Sequence, residues 1–205
     1  LLRIFALCFH IFVSPLLESQ SDALDFEILA WELSQGGANH ILKNFVWFDT
    51  YFISWLYSWF YFIFGREALF LYSINIIFGI FTILLCIRFA WLLGGERSAY
   101  FAGWVCALHP TLILYSVVTL REVFVTFAVL IAFIGVFKWF KEKKIKYILF
   151  SSLGFCFAAF FHGAMIVGLA IFYLLIIIQL LIDLLKSFIT GYMNFRWIVL
   201  SILGV

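Results

Sequence analysis

The chain has 205 residues, of which 66% are hydrophobic, 22% are aromatic and only 12% are charged. Soluble domains carry about 25% charged residues, so this composition leaves too few polar side chains to cover a water-facing surface and predicts an integral membrane protein. Together with a net charge of +2, it excludes a disordered chain, a disulfide-stapled secreted domain and a nucleic-acid-binding protein.

Apolar runs that approach the roughly 20 residues needed to cross a bilayer recur along the chain. We predict an all-α, polytopic transmembrane helix bundle that forms a single domain. Its spans are expected near residues 1–17, 68–93, 98–118, 122–140, 147–162, 166–185 and from 197–205 onward. The chain begins without Met and stops inside an apolar run, so we expect it to be a fragment of a longer protein.

Segment 18–67 is the exception to this pattern, because its run 46–64 is rich in Trp and Tyr, which concentrate at the headgroup level of membranes. The basic run 141–146 is expected on the cytoplasmic side, and counting spans from it places segment 18–67 outside at both of its ends. Run 46–64 then makes no net crossing. We therefore predict a long outer loop with interfacial helices.

This topology separates the charges of the chain. It puts ten of the 13 Lys and Arg residues inside, Arg3 among them, and eight of the 11 acids outside. The outer face is therefore acidic. Run 138–146 is interpreted as a solvated, orientation-setting loop, with contact to anionic lipid as the alternative.

Two carboxylates in the outer loop are candidates for chemistry. Asp22, partly desolvated near the membrane surface, is a candidate general base for deprotonating a hydroxyl; the alternative is that it only caps the helix that follows. Asp25 lies three residues further on the same helix face, and a favourable interaction with the helix dipole also explains it.

Arg121 and Glu122 open the predicted span at 122–140, at the depth of the outer loop. The planar guanidinium of Arg121 is suited to a lipid phosphate, whereas topology alone favours basic residues inside. Glu122 completes a Thr119-x-x-Glu pattern, so a capping box is its structural alternative.

Two histidines complete the set. His109, followed by Pro110, lies midway along its predicted span, where an ionisable group is expected to face a bundle interior or a cavity; a satisfied core histidine beside a kink is the alternative. His162 closes the next span at a shallower depth and is a candidate for contact with a phosphate or substrate.

The order and spacing of several short motifs over roughly residues 1–185 resemble the glycosyltransferase C superfamily, whose multi-span members use lipid-linked sugars. They include bacterial aminoarabinose transferases and protein O-mannosyltransferases. The motifs are Ser-Asp-Ala-Leu-Asp-Phe at 21–26, Ala30, Gly36, Phe-Ile-Phe-Gly at 62–65, Leu-Leu-Gly at 92–94, Ala-Leu-His-Pro at 107–110, Leu-Tyr-Ser at 114–116 and Leu-Arg-Glu at 120–122.

This resemblance implies a polyprenyl-phosphate sugar donor, a glycan, lipid or protein acceptor, and a bacterial inner-membrane protein whose site faces outward. Asp22 matches the family's first-loop acid, with Asp25 as the alternative base, and Glu122 matches the acid that starts the fourth span. Arg121 would bind the lipid phosphate, with His162 or a divalent cation as a possible addition, and no other cofactor is expected. The sequence departs from the family pattern where Phe161, His162 and Gly163 replace a basic group.

Two other functions stay open. An Arg at the head of one span and a Phe-His pair at the end of the next also resemble O-antigen and exopolysaccharide polymerases. A lipid or solute transporter is the hypothesis from a different class. It predicts charges in the span centres and internal repeats, and the sequence shows no obvious repeat and, apart from His109, few deep charges.

Overall fold

The computed structural model describes residues 1–190, with side chains as far as Lys186. Within that range the chain forms helices and turns and no strand, which confirms the all-α prediction for these residues. The predicted span from 197 onward lies outside them. The helices are α1 (Leu2–Phe12), α2 (Asp22–Gln35), α3 (Gly37–Lys43), α4 (Phe52–Phe64), α5 (Ala68–Leu108), α6 (Pro110–Val117), α7 (Glu122–Glu142), α8 (Ile145–Phe161) and α9 (Met165–Thr190).

Three of the described helices are long and apolar enough to cross a membrane. They are Ala68–Leu108 in α5, Glu122–Glu142 in α7 and Met165–Lys186 in α9. Helices α1, α4 and α8 are also apolar but shorter, with 10 to 17 residues each. Length and composition therefore support an integral membrane protein.

Helices α7 and α8 pack as a close antiparallel pair. Gly154 of α8 lies so near α7 that a Cβ there would come within 2.7 Å of the backbone nitrogen of Ala132. At one end of the pair the rings of Phe124 and Phe161 stack, with centroids 4.9 Å apart. The start of α7 and the end of α8 consequently lie side by side.

Helix α5 reverses direction at Gly95, whose φ of 74° and ψ of −161° are not helical. Such values are open to glycine and not to residues with a Cβ. A Cβ at Gly103 would lie 2.9 Å from Ile87, so residues equally distant from the break face each other. Helix α5 is thus a hairpin of two arms, 68–94 and 96–108.

The first arm of α5 runs in the same direction as α7. Phe78 packs against Phe124 near the start of α7, and Phe89 packs against Phe137 further along. We call the end of the structure with turns 118–121 and 162–164 the Arg121 end, and the end with Gly95 and turn 143–144 the Lys143 end.

Segment 18–67 packs at the Arg121 end. Helix α2 lies against α4, and Phe52 at the start of α4 contacts the rings of Phe160 and Phe161 at the end of α8. Trp55 of α4 donates a hydrogen bond to the carbonyl oxygen of Ile41 at 2.9 Å. The helix predicted within 46–64 covers only Phe52–Phe64.

The first predicted span is shorter than expected. The predicted span 1–17 forms a helix only over Leu2–Phe12, about 16 Å long. Arg3, assigned to the inner face, is instead buried: its Nε would lie 3.2 Å from a Cβ at Gly79, eleven residues into α5. Because a helix this short reaches only part of the way along α5, Arg3 lies midway along the first arm, and the side of the membrane assigned to it stays a prediction.

The predicted span 98–118 is divided. Helix α5 ends at Leu108, His109 is extended, and Pro110 opens α6. Proline lacks the amide that a continuous helix needs and disfavours a helical conformation in the residue before it. This break leads α6 into turn 118–121, where the candidate site begins.

Candidate functional site

The candidate site lies where the first turn of α2 meets turn 118–121. The Thr119 hydroxyl donates a hydrogen bond of 2.9 Å to the carbonyl oxygen of Ala23, and the guanidinium carbon of Arg121 lies 5.6 Å from the ring centroid of Phe26. Asp22 adjoins Ala23 in the chain, and Asp25 adjoins Phe26. The fold thus brings the acidic turn of α2 next to the arginine before α7.

Arg121 and Glu122 form an ion pair that leaves one polar atom of each residue without a partner. Nε of Arg121 lies 3.4 Å from Oε1 of Glu122, and 14% of the arginine side chain is exposed. Nη1 of Arg121 and Oε2 of Glu122 are buried and make no hydrogen bond to the described residues. Leaving such atoms unpaired is costly, about 1–3 kcal/mol each, so this pair retains one hydrogen-bond donor and one acceptor whose capacity is unused.

The capping box predicted at the start of α7 does not form. The N-cap residue of α7 is Arg121, whose side chain makes no capping hydrogen bond. The Thr119 hydroxyl donates its hydrogen bond to α2 instead. The physical reason is a buried amide: Nδ2 of Asn75 donates to the carbonyl oxygens of Val118 and Leu120. This holds the chain non-helical up to Leu120, so Thr119 cannot serve as the N-cap.

Asp22 and Asp25 are both exposed, and within residues 1–190 neither side chain forms a hydrogen bond or an ion pair. The prediction that Asp22 caps α2 is wrong, because Ser21 is the N-cap residue and Asp22 is the first residue of the helix. Asp25 stands in the first turn, where the helix dipole favours it. Both carboxylates are exposed on the turn of α2 whose neighbouring residues Ala23 and Phe26 contact turn 118–121.

His162 lies at the Arg121 end, and His109 does not. His162 follows Phe161, which stacks on Phe124 in the first turn of α7. The side chain of His162 is half-buried and forms no hydrogen bond with Arg121. His109 is exposed, in contrast to the predicted interior position. The eight residues of α6 separate it from turn 118–121, about 12 Å along the helix.

The buried amide of Asn75 is a feature that the sequence analysis missed. Its Oδ1 accepts a hydrogen bond of 2.6 Å from the hydroxyl of Tyr57 in α4, and its Nδ2 bonds to the carbonyl oxygen of Val118 in the turn before Arg121. Asn75 therefore joins α4, α5 and turn 118–121. A single amide between isoleucines in an apolar run was the available signal, because such groups face protein rather than lipid.

A second missed group fixes the other side of α2. Glu27 accepts hydrogen bonds of 3.0 Å from Nε and Nη2 of Arg66 and of 2.8 Å from the hydroxyl of Tyr61. Burial and the bond to Glu27 raise the pKa of Tyr61, so its phenol stays protonated and donates. No local pattern predicts this pairing, because 39 residues separate Glu27 from Arg66.

A polar cavity of about 270 Å³ lies beside this group, between α2, the start of α5 and turn 118–121. Glu27, Arg66, Tyr72, Ser19 and Thr119 contribute polar atoms to its lining. The cavity reaches Thr119, which is two residues from Arg121. Hydroxyl-bearing molecules are matched by a lining of this kind, which combines donors and acceptors.

Within residues 1–190, no group of three or more His, Cys, Asp and Glu side chains is close enough to hold a metal ion. No protein-family model, curated protein or solved structure matches the chain. The geometry of the site and the motifs of the sequence therefore carry the functional argument.

Proposed function

We propose that this chain is a membrane glycosyltransferase of the glycosyltransferase C type. It transfers a sugar from a polyprenyl-phosphate donor to an acceptor hydroxyl at the non-cytoplasmic face, in a bacterial inner membrane. The observation that carries the proposal is the buried, unpaired Nη1 of Arg121 and Oε2 of Glu122, next to the contact between Arg121 and Phe26 in the first turns of α2, where Asp22 and Asp25 are exposed. These groups suit a phosphate and a hydroxyl held side by side.

The proposed topology is polytopic, with the Lys143 end in the cytoplasm and the Arg121 end outside. Support comes from the long apolar helices and from the lysines at 141–146. Helix α4, with 13 residues, is about 20 Å long and too short for the roughly 30 Å hydrocarbon layer. The start of α4 packs against the end of α8. The end of α4 is followed by Arg66, which bonds to Glu27 of α2 at the same end of the structure. Both ends of α4 therefore lie at the Arg121 end, which supports an interfacial helix in the outer loop.

The proposed reaction inverts the anomeric carbon. Asp22 takes the proton of the acceptor hydroxyl, the acceptor oxygen bonds to the anomeric carbon, and the bond from that carbon to the phosphate oxygen breaks. The electron pair stays on the polyprenyl phosphate, whose charge Arg121 stabilises. Glu122 holds the guanidinium in place through Oε1 and offers Oε2 to a hydroxyl, and His162 approaches the same phosphate.

The first test is donor turnover by the purified full-length protein and by Asp22→Asn, with Asp25→Asn as the matched control. Loss of a general base lowers turnover about 10²–10⁴-fold, so we expect that loss in Asp22→Asn and little change in Asp25→Asn. Full activity of Asp22→Asn would remove it as the base. The same assay with a chelator tests whether a divalent cation takes part.

The role of Arg121 is tested by donor affinity. We expect Arg121→Ala to weaken donor binding about 10-fold or more, because a charged hydrogen bond contributes about 1.5–3 kcal/mol, while Lys43→Ala on α3 leaves binding unchanged. Equal donor affinity in wild type and Arg121→Ala would remove the phosphate role.

A polymerase of O-antigen or exopolysaccharide is the second candidate. It is favoured by the presence of Arg121 and the Phe161–His162 pair at one end of the structure. Product analysis separates the two functions, because a transferase adds one sugar per acceptor and a polymerase makes chains of repeat units. Flux of intact donor across vesicles without release of lipid phosphate would contradict both and favour a transporter.

A further inference from the structure

A crevice at the Lys143 end lies far from the candidate site and combines an apolar lining with Lys143, a member of the lysine-rich run 138–146. Its volume is about 220 Å³, and it opens between the α7–α8 turn and α9. Its apolar lining is formed by Trp139, Ile145, Ile148, Ile176 and Leu180. We call it the Lys143 crevice.

Aromatic rings contact the ammonium groups of Lys143, which lines the crevice, and of two lysines near it in the chain. Nζ of Lys143 lies 4.6 Å from the ring centroid of Trp139, a residue of the lining. Nζ of Lys138 and Nζ of Lys146 lie 5.6 and 5.1 Å from the ring centroid of Tyr147, which packs in the same cluster as Trp139. Cation–π contacts of this kind leave the ammonium hydrogens available to an anion.

Lys143 stands at the mouth because of its backbone. It is the C-cap of α7, with a left-handed φ of 55°, so the chain turns sharply there and the side chain lines the crevice. The short turn to α8 then brings Lys144 and Lys146 to the same end. The turn between α7 and α8 therefore determines that Lys143, Lys144 and Lys146 lie at the same end of the structure.

The local charge is positive even with the nearby acids counted. Run 138–146 has five lysines, and the acids are Glu142, which is paired with Lys144 at 3.2 Å, and Asp183, which lines the crevice. Five positive and two negative charges leave a net charge of +3. Oδ1 of Asp183 accepts a hydrogen bond of 2.9 Å from Gln179, so an anion is expected on the Lys143 side of the mouth.

From this arrangement we propose that the Lys143 crevice binds an anionic phospholipid. The phosphate group of the lipid lies among the ammonium groups of Lys143 and its neighbours, and one acyl chain enters the apolar cleft between α8 and α9. Charge complementarity selects an anionic headgroup, and the apolar lining selects an amphiphile over a free anion. The proposal requires a membrane at this end and is independent of the glycosyltransferase activity.

The experiment measures lipid retention by native mass spectrometry of the full-length protein. The protein is purified in detergent with equal amounts of phosphatidylglycerol and phosphatidylcholine of matched acyl chains. We expect retained phosphatidylglycerol to exceed phosphatidylcholine. Each lysine near a membrane surface contributes about five-fold to attraction of anionic lipid, so Lys143→Gln should lower retention about five-fold, and Lys43→Gln, at the other end, should not.

Leu180→Trp tests the acyl-chain half of the site without changing charge. Leu180 is 36% exposed on the crevice wall, so a larger ring there fills the cleft, and retention should fall although every lysine remains. Equal retention of the two lipids, equal behaviour of Lys143→Gln and Lys43→Gln, or full displacement of the lipid by inorganic phosphate would each overturn the proposal.

Discussion

The link between Asn75 and Tyr57 allows a quantitative test of how Arg121 is held. Asn75 is fully buried, accepts from the Tyr57 hydroxyl and donates to the carbonyl oxygen of Val118. In Asn75→Leu the buried Tyr57 hydroxyl loses its partner, at about 1–3 kcal/mol, and the bond to Val118 is lost, at about 1 kcal/mol. The Val118 oxygen is not left unpaired, because it still accepts a hydrogen bond of 2.8 Å from the Leu120 amide. The expected loss of unfolding free energy in Asn75→Leu is therefore about 2–4 kcal/mol.

The assay is thermal unfolding of the full-length protein in detergent, arranged as a double-mutant cycle. For a chain of this size 1 kcal/mol corresponds to about 2–4 °C, so Asn75→Leu should lower the midpoint by about 4–16 °C. Tyr57→Phe alone leaves Oδ1 of Asn75 unpaired, at about 1–3 kcal/mol. The double variant leaves neither group unpaired and loses only the bond to Val118, at about 1 kcal/mol, so its loss should be smaller than the sum of the two single losses by about 2–6 kcal/mol.

Strict additivity of Tyr57→Phe and Asn75→Leu would refute the reasoning, because the Tyr57 hydroxyl and Oδ1 of Asn75 are each other's hydrogen-bond partners and cannot act independently. The matched control is Asn39→Leu. Asn39 is exposed on α3 and makes no hydrogen bond to the described residues through its side chain, so its midpoint should move by less than the single variants above.

Two further predictions concern packing contacts. Thr119→Val keeps the shape of the side chain but removes the hydrogen bond to Ala23. We expect the free energy of unfolding to fall by about 1 kcal/mol and donor turnover to slow, whereas Thr119→Ser keeps both the stability and the turnover. Equal behaviour of the two variants would contradict the role of the hydroxyl. Gly154→Ala drives a methyl group into the backbone at Ala132 and should cost about 1–3 kcal/mol in thermal unfolding. Gly103→Ala, whose methyl group meets the Ile87 side chain and no backbone atom, should cost less.

The sequence predicted the helical class well, since apolar runs and their charged boundaries are local signals. It could not predict the break before Pro110 as the end of a helix, because proline is tolerated in membrane helices when neighbours satisfy the freed groups. It also missed the end of α1 at Phe12. Helix ends in an apolar run lack the caps that would mark them.

The candidate site was predictable only in part. Residue type and position in the chain were enough to select four candidate site residues, which are Asp22, Asp25, Arg121 and Glu122. Which partners they take depends on contacts between distant segments, as the bond from Thr119 to α2 shows. The capping-box pattern was misleading for the same reason, because a tertiary contact outweighed a local preference.

Gly95 has a consequence for how the molecule tolerates change. Because one residue makes the entire reversal of α5, there is no connecting loop in which an insertion could be absorbed. An added residue at the tip would rotate one arm by about 100° relative to the other and turn the face of Gly103 away from Ile87. The turn at Gly95 therefore fixes the rotation of the second arm of α5, and with it which side chains of that arm contact the rest of the protein.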